Sequence, residues 1–329
     1  MHPSAQGISP PAPLTPSARR RGTGHAHGKV ILLGEHAVVH GAPAIALPVP
    51  QLVVEAVAQE TGGASRLDST LYEGDLDAAP ERLQPTVTAM RSALERHGID
   101  RIGIELRIRS GIPVERGLGS SAAVSAATIE AVLRMLGEDV DDPAVRHELI
   151  QKAERVAHGT PSGIDARMVV SDTPLWYQQG RFEGVQVRAP FAFVVADTGT
   201  PSGTRDAVAG VHAQRAADRP RVDRVVAELG ELATAARGDL LVGDGPALGT
   251  RMTHAHALLR QLAVSSPELD RLVRAARDAG ALGAKLTGGG RGGCIIALAA
   301  DADAAGGLAE TLLCSGAAAA WTTNLEPAA

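Results

Sequence analysis

Three glycine-bearing segments, spread over the length of the chain, constrain this sequence more than any other feature. They are Gly28-Lys29-Val30-Ile31-Leu32-Leu33-Gly34-Glu35-His36, Pro113-Val114-Glu115-Arg116-Gly117-Leu118-Gly119-Ser120-Ser121-Ala122-Ala123, and Lys285-Leu286-Thr287-Gly288-Gly289-Gly290-Arg291-Gly292-Gly293. The middle segment is a glycine turn that runs into Ser-Ser and then an Ala-rich stretch of helical pattern. Such a turn leaves backbone N–H groups free at a helix N-terminus, where the helix dipole favours an anion. With a lysine, a glutamate and an aspartate available elsewhere, the pattern points to the handling of a phosphate ester.

The 329 residues suffice for two domains with a core each. Hydrophobic residues at 44% and charged residues at 21% describe an ordinary globular chain. A net charge of −5 argues against a nucleic-acid or anionic-membrane footprint, and 2% aromatic residues leave no stacking platform for single strands. Cys294 and Cys314 make no disulfide scaffold and read as reduced thiols. No apolar run approaches the ~18 residues of a membrane span, and Met1 to Gly24 lacks the apolar centre of a signal peptide. The expected location is the cytoplasm, with a small-molecule substrate, no nucleic-acid partner and no membrane; a homodimer stays open.

Residues 1–22, rich in Pro, Ser, Ala and Arg, are expected to form a disordered leader. Val30–Leu33 and Leu52–Val57 read as strands, the second after a proline-bounded turn, and Gly62 to Pro80 as a polar loop. A helix after Pro85 presents Val87, Met90, Ala93 and Leu94 on one face and stops at Gly98. Ile102, Ile104, Leu106 and Ile108 alternate with Gly103, Glu105, Arg107 and Arg109, which predicts a half-buried antiparallel strand. The helix after the middle glycine segment carries Ile129, Val132, Leu133 and Leu136 and ends at Gly137. Another starts at Pro143, with Leu149, Ile150, Ala153, Val156 and Ala157 as its core face, and breaks at His158–Asp165. A short hairpin over Trp176–Gln178 and Gly184–Val187 closes the first half. The second half opens with strand Phe191–Ala196, continues through Ala/Leu/Arg-rich helices, one from Ser266-Pro267 to Gly280, and ends in strand Cys294–Ala299, a helix near Leu308–Leu313 and a strand near Ala318–Leu325. The pattern is an α+β sandwich of two domains, 23–189 and 190–329, with the boundary near residue 189.

The commoner nucleotide folds fail on context. Gly117-x-Gly119-x-x-Ala122 follows a strand that alternates with charges, where a dinucleotide fold needs one buried on both faces. Gly288-x-Gly290-x-x-Gly293 runs into a strand instead of a helix. A P-loop would need glycine at Thr23 and Ser or Thr at Val30. Glu35-His36 followed by His40 is not the order of a zinc protease, and His254 and His256 are expected on the surface.

Phosphoryl transfer needs positive charge on the phosphates, oxygen ligands for Mg²⁺ and a group that orients the attacking hydroxyl. Lys29 at a strand start, Glu154 on the helix before the break and Asp165 at a fresh helix start offer these. Each also has a plain structural reading: a solvated lysine, a surface glutamate, a helix-end charge, and for Ser120-Ser121 a simple helix cap. The plain readings hold singly more easily than all together.

At these residues the chain resembles the GHMP kinase superfamily of galactokinase, homoserine kinase, mevalonate kinase and phosphomevalonate kinase, over about residues 25 to 325. The stretch Glu35-His36-Ala37-Val38-Val39-His40-Gly41 is typical of the mevalonate kinase branch. The resemblance implies a ribosomal-S5-like β–α–β first domain with a left-handed crossover and a ferredoxin-like C-terminal α/β sandwich. It implies ATP and Mg²⁺, and mevalonate as substrate. Lys29 and Asp165 would flank the attacking hydroxyl, and Pro113, Gly117, Leu118, Gly119, Ser120, Ser121 and Ala122 would hold ATP. Ser121 and Glu154 would hold Mg²⁺, and Glu35, His36, Thr204, Gly288, Gly289 and Gly290 would line the substrate end. Arg291 stands where some relatives have glycine. A sister kinase acting on phosphomevalonate or another small alcohol, and a catalytically dead ligand-binding regulator, are the alternatives.

Overall fold

The structure, a computed structural model, describes residues 19–139, 142–159 and 161–327. Most of the expected leader, residues 1–18, lies outside the described residues, as does Thr160 within the break before Asp165. Arg21 and Gly22, assigned to that leader, instead pair with Gln59 and Ala58.

The first half consists of β1 (Arg21–Leu33), β2 (Ala44–Thr61), β3 (Arg66–Ser69), β4 (Tyr72–Asp75), α1 (Gln84–Arg96), β5 (Gly103–Ser110), α2 (Ser120–Met135), α3 (Pro143–His158), α4 (Ile164–Met168), β6 (Leu175–Gln178) and β7 (Arg181–Gly184). Its mixed sheet runs β4-β3-β5-β2-β6-β7, with β1 on the free side of β2. β1 begins well before Val30 for a reason that residue patterning hides. A Cβ on Gly22 would stand 2.1 Å from Ala131 O, and one on Gly24 the same distance from Ala127 O. The two glycines let the backbone of α2 lie directly on the strand. β2 runs through Pro48 and Pro50, where a turn was expected. Its pairing with β1 slips between His27 and Gly28, opposite Val53 and Val49, and the irregularity takes up Pro50. The polar loop expected over 62–80 contains the β3–β4 hairpin, with β3 parallel to β5. Leu67, Leu76 and Ala79 alone are buried there, too few and too unevenly spaced to write a period. In α3, Ile150 and Ala153 face the core, but Val156 is 52% exposed.

The second half contains β8 (Phe191–Asp197), α5 (Thr204–Ala217), α6 (Arg219–Val242), α7 (Gly245–Gln261), α8 (Pro267–Asp278), β9 (Gly283–Thr287), β10 (Cys294–Leu298), α9 (Ala302–Cys314) and β11 (Ala319–Leu325). Its antiparallel sheet has the order β11-β8-β10-β9, which is 4-1-3-2 in the half's own count and is the ferredoxin-like arrangement. The two sheets share one continuous apolar core, and Thr323 Oγ1 donates to Pro48 O across them at 3.3 Å.

Of the two histidines expected on the surface, His254 is exposed and meets Glu228 at 2.9 Å. His256 is buried. Its Nδ1 accepts the Leu286 N–H of β9 at 3.3 Å, so Nε2 carries the proton toward Asp270 Oδ1 at 3.1 Å, and Ser265 Oγ donates to that oxygen at 2.5 Å. Burial, against the pull of Asp270, lowers the His256 pKa to about 4. A histidine depressed in the folded state stabilises fully above its ordinary value of 6.5 and loses that contribution as pH falls toward about 4. The expected loss is about 3 kcal/mol over that window. Denaturant unfolding of wild type and His256→Gln at pH 7 and pH 4.5 checks it. The wild type should lose more stability than the variant, and equal losses would remove His256 as the cause.

Candidate active site

The site forms along β1, from Lys29, paired with Pro48 of β2, to Glu35 and His36 just past the strand's end. Lys29 is buried, and its amide donates to Leu118 O at 3.0 Å, which clips the strand to the middle glycine loop. Its Nζ lies 2.9 Å from Asp165 Oδ1. Asp165 sits in the first turn of the five-residue α4, which opens at Gly163, and its carboxylate keeps an open side. Lysine and aspartate thus arrive from elements far apart in sequence.

Gly119 caps α2 with φ 77°, and no side chain bonds its first turn. A side chain at this position would be strained by the left-handed backbone, and its Cβ would meet Lys29 Cγ at 2.9 Å. Capping by serine does not occur here; Ser121 Oγ donates instead to Glu154 Oε1 at 2.6 Å. The first turn of α2, at Ser120, Ser121 and Ala122, thus starts beside Lys29 without a side-chain cap, an arrangement suited to phosphate oxygens. Burial raises the Glu154 carboxyl to about 7; the Ser121 hydrogen bond and Lys29 oppose the shift, and Asp165 adds to it. Two oxygens from Ser121 and Glu154 suit a hard divalent cation that completes its shell with phosphate and water. Among the described residues no three His, Cys, Asp or Glu side chains converge into a self-sufficient cage.

The second half approaches through the third glycine segment. Thr287 Oγ1 accepts from the Ile31 amide and donates to the Ile31 carbonyl, both at 2.9 Å. Gly288 lies against Gly117, with 3.4 Å from its Cβ direction to Gly117 Cα, so the two glycine loops touch. His36 Nε2 donates to Gly289 O at 2.9 Å, leaving the buried Nδ1 without a partner, and burial lowers its pKa to about 4. Glu35 is buried against the ammonium of Lys285, which also donates to Leu286 O at 2.6 Å. Burial pushes Glu35 up and Lys285 down, each against the attraction of the other. Thr204 opens α5 beside Gly289, while Ser202 Oγ donates to Gly290 O at 3.3 Å. Arg291, with φ 59°, extends over Gly210 of α5, near enough to His36 to lower its pKa further. Pro113 lies at the open end of the loop.

The structure thus gathers Lys29, Asp165, Glu154, Ser121 and the Gly117–Ala122 turn in one place, with His36, Glu35, Thr204 and Gly288–Gly290 along the seam between the halves. Sequence reading passed over Lys285, Thr287 and Arg116, although a lone lysine in the apolar strand β9 is a detectable signal.

A family model described as the GHMP kinases N-terminal domain matches residues 85–172, and one described as the GHMP kinases C-terminal matches 232–318. Fold and site define a two-domain kinase, and the chain belongs to the GHMP kinases. Its relatives include the mevalonate kinase of Pyrococcus horikoshii, 38% identical over 83% of this chain and 87% of that one. The mevalonate kinase of Aeropyrum pernix is 33% identical over 88% and 92% of the two chains. The solved structure of L. major mevalonate kinase in complex with R-mevalonate superposes with a TM-score of 0.82 at 28% identity, covering 98% of this chain and 100% of that one.

The raised Glu154 pKa gives a pH prediction for the unliganded enzyme. A carboxyl that holds its proton to about 7 when folded, against 4.5 ordinarily, contributes fully below about 4.5 and loses that contribution as pH rises through about 7. Between pH 4.5 and 7.5 the wild type should lose about 3 kcal/mol relative to Glu154→Gln. Parallel unfolding curves for the two proteins over that range would return Glu154 to an ordinary carboxylate.

Proposed function

We propose that this chain transfers the γ-phosphoryl group of ATP to the C5 hydroxyl of (R)-mevalonate, giving 5-phosphomevalonate and ADP, with Mg²⁺ as the ion held by Ser121 and Glu154. The observation that carries the reading is the Lys29–Asp165 pair at 2.9 Å beside the uncapped N-terminus of α2, in a chain whose relatives are mevalonate kinases.

The amides from Gly117 to Ala122 hold the β- and γ-phosphates. The hydroxyl enters between Lys29 and Asp165. As its oxygen bonds to the γ-phosphorus and the bond to ADP breaks, Asp165 takes the hydroxyl proton and the Lys29 ammonium stabilises the charge developing on the oxygen. Ser121 and Glu154 would hold Mg²⁺, which when bound would offset the negative charge of the phosphates. His36, with Glu35 behind it, Thr204 and Gly288–Gly290 line the mevalonate end. Residues 23–189 carry the nucleotide site and 190–329 close it. Free cysteines at Cys294 and Cys314 support a reducing, cytoplasmic setting.

ADP release with Mg²⁺-ATP across mevalonate, phosphomevalonate, diphosphomevalonate, homoserine and galactose tests the substrate. Turnover on mevalonate alone is expected. Activity on phosphomevalonate instead would make this the sister kinase, and silence on all five would favour a ligand-binding regulator. Asp165→Asn should lower kcat by about 10²- to 10⁴-fold with ATP binding little changed, and Lys29→Met should cost about 3 kcal/mol of transition-state stabilisation. Near-normal steady-state turnover in either variant would remove that residue from the chemistry.

A further inference from the structure

We propose that Arg116 is the positioning residue through which the C-terminal half sets the shape of the nucleotide loop. The inference rests on the kinase reading above and goes beyond the loop's own glycines and amides.

The half-buried guanidinium of Arg116 is a three-way tie. Nε lies 3.0 Å from both carboxylate oxygens of Asp197, the last residue of β8. Nη2 donates to Gly199 O at 3.1 Å, in the turn after that strand, and Nη1 folds back onto Val114 O of its own loop at 3.2 Å. Asp197 is itself buried and also accepts the Gly199 amide at 2.8 Å, so the receiving carboxylate is fixed before Arg116 reaches it. Charged forks of this kind are directional as well as strong.

The neighbouring backbone follows the same plan. Glu115 has φ 59°, a left-handed conformation that a non-glycine residue holds only when its surroundings impose it. Its carbonyl accepts the Ser202 amide at 2.6 Å. A Cβ on Gly293 would stand 2.7 Å from Arg116 O, so the third glycine segment backs the loop directly. The loop is therefore held at Leu118 O by Lys29 of the first half and at Glu115–Arg116 by the segment 197–202 of the second. Gly117 lies between the two anchors and Gly119 directly after the second, and their turn aims the α2 amides. Without the Arg116 tie the Ser202 amide is, among the described residues, the one hydrogen bond left from the C-terminal side to hold Glu115 against relaxation, and the amides lose their common aim.

Binding of Mg²⁺-ADP, read with a fluorescent ADP analogue, tests this without any second substrate, so the measurement stands even if mevalonate is not turned over. Arg116→Ala should weaken the dissociation constant about tenfold, while the KM for mevalonate at saturating ATP stays within about twofold. Asp197→Asn, which alters only the receiving end, should weaken ADP binding in the same direction. Added to Arg116→Ala it should cost little more, because the two changes remove one interaction. Loss of one partner strands a buried charge. Should either single variant fail to fold, Arg116→Gln with Asp197→Asn removes both charges at once and should show the same split. ADP binding within twofold of wild type in Arg116→Ala or in the charge-free double variant would overturn the proposal. Normal ADP binding in a folded Asp197→Asn would also overturn it and leave Arg116 as a direct nucleotide contact, as would a rise in mevalonate KM parallel to the loss of ADP affinity.

Discussion

One threonine hydroxyl closes the seam on which the site depends. Thr287 Oγ1 serves both the amide and the carbonyl of Ile31, two residues along β1 from Lys29. β1 is an outer strand of the first sheet, and its backbone groups on that side need partners when the second half covers them. A side chain able to donate and accept at one atom satisfies both. The Gly117–Gly288 contact, the His36–Gly289 bond and the Glu35–Lys285 pair all lie within a few residues of this point.

The site places charge where water is scarce. Lys29, Glu35, His36, Glu154 and Lys285 are all buried, and each is answered differently. Lys29 faces Asp165, Lys285 faces Glu35, His36 is held neutral, and Glu154 keeps its proton to about pH 7. Desolvation of this kind is unfavourable to folding and useful to chemistry, because interactions with an incoming phosphate are then poorly screened. The perturbed groups cluster around the loops, as groups at functional sites do.

The three glycine segments and the charges that the structure gathers beside them were legible because glycine turns, a helix start and isolated charges leave marks in a sequence. The elements that escaped lacked such marks. Arg21–Gly28 reads as coil, since a strand of glycine and histidine has no apolar period; its fitness appears only against the backbone of α2. The β3–β4 hairpin buries too little to be seen. His256 looked like a surface residue because its partners, Asp270 and the Leu286 amide, come from two other elements. Lys285 and Arg116 pair with residues 250 and 81 positions away, and no local window contains such a partner.

The glycine contact between β1 and α2 has a mechanical side. The strand touches the helix along Ala127 to Met135, while the phosphate cradle lies at the opposite end, at Gly119 to Ser121. A 16-residue helix is a rod of about 24 Å, pressed backbone to backbone at its rear with no side chain between to yield. Gly22 and Gly24 thus act as the bearing of a lever whose working tip is the anion site. Two residues with no chemistry of their own help decide where the phosphate sits.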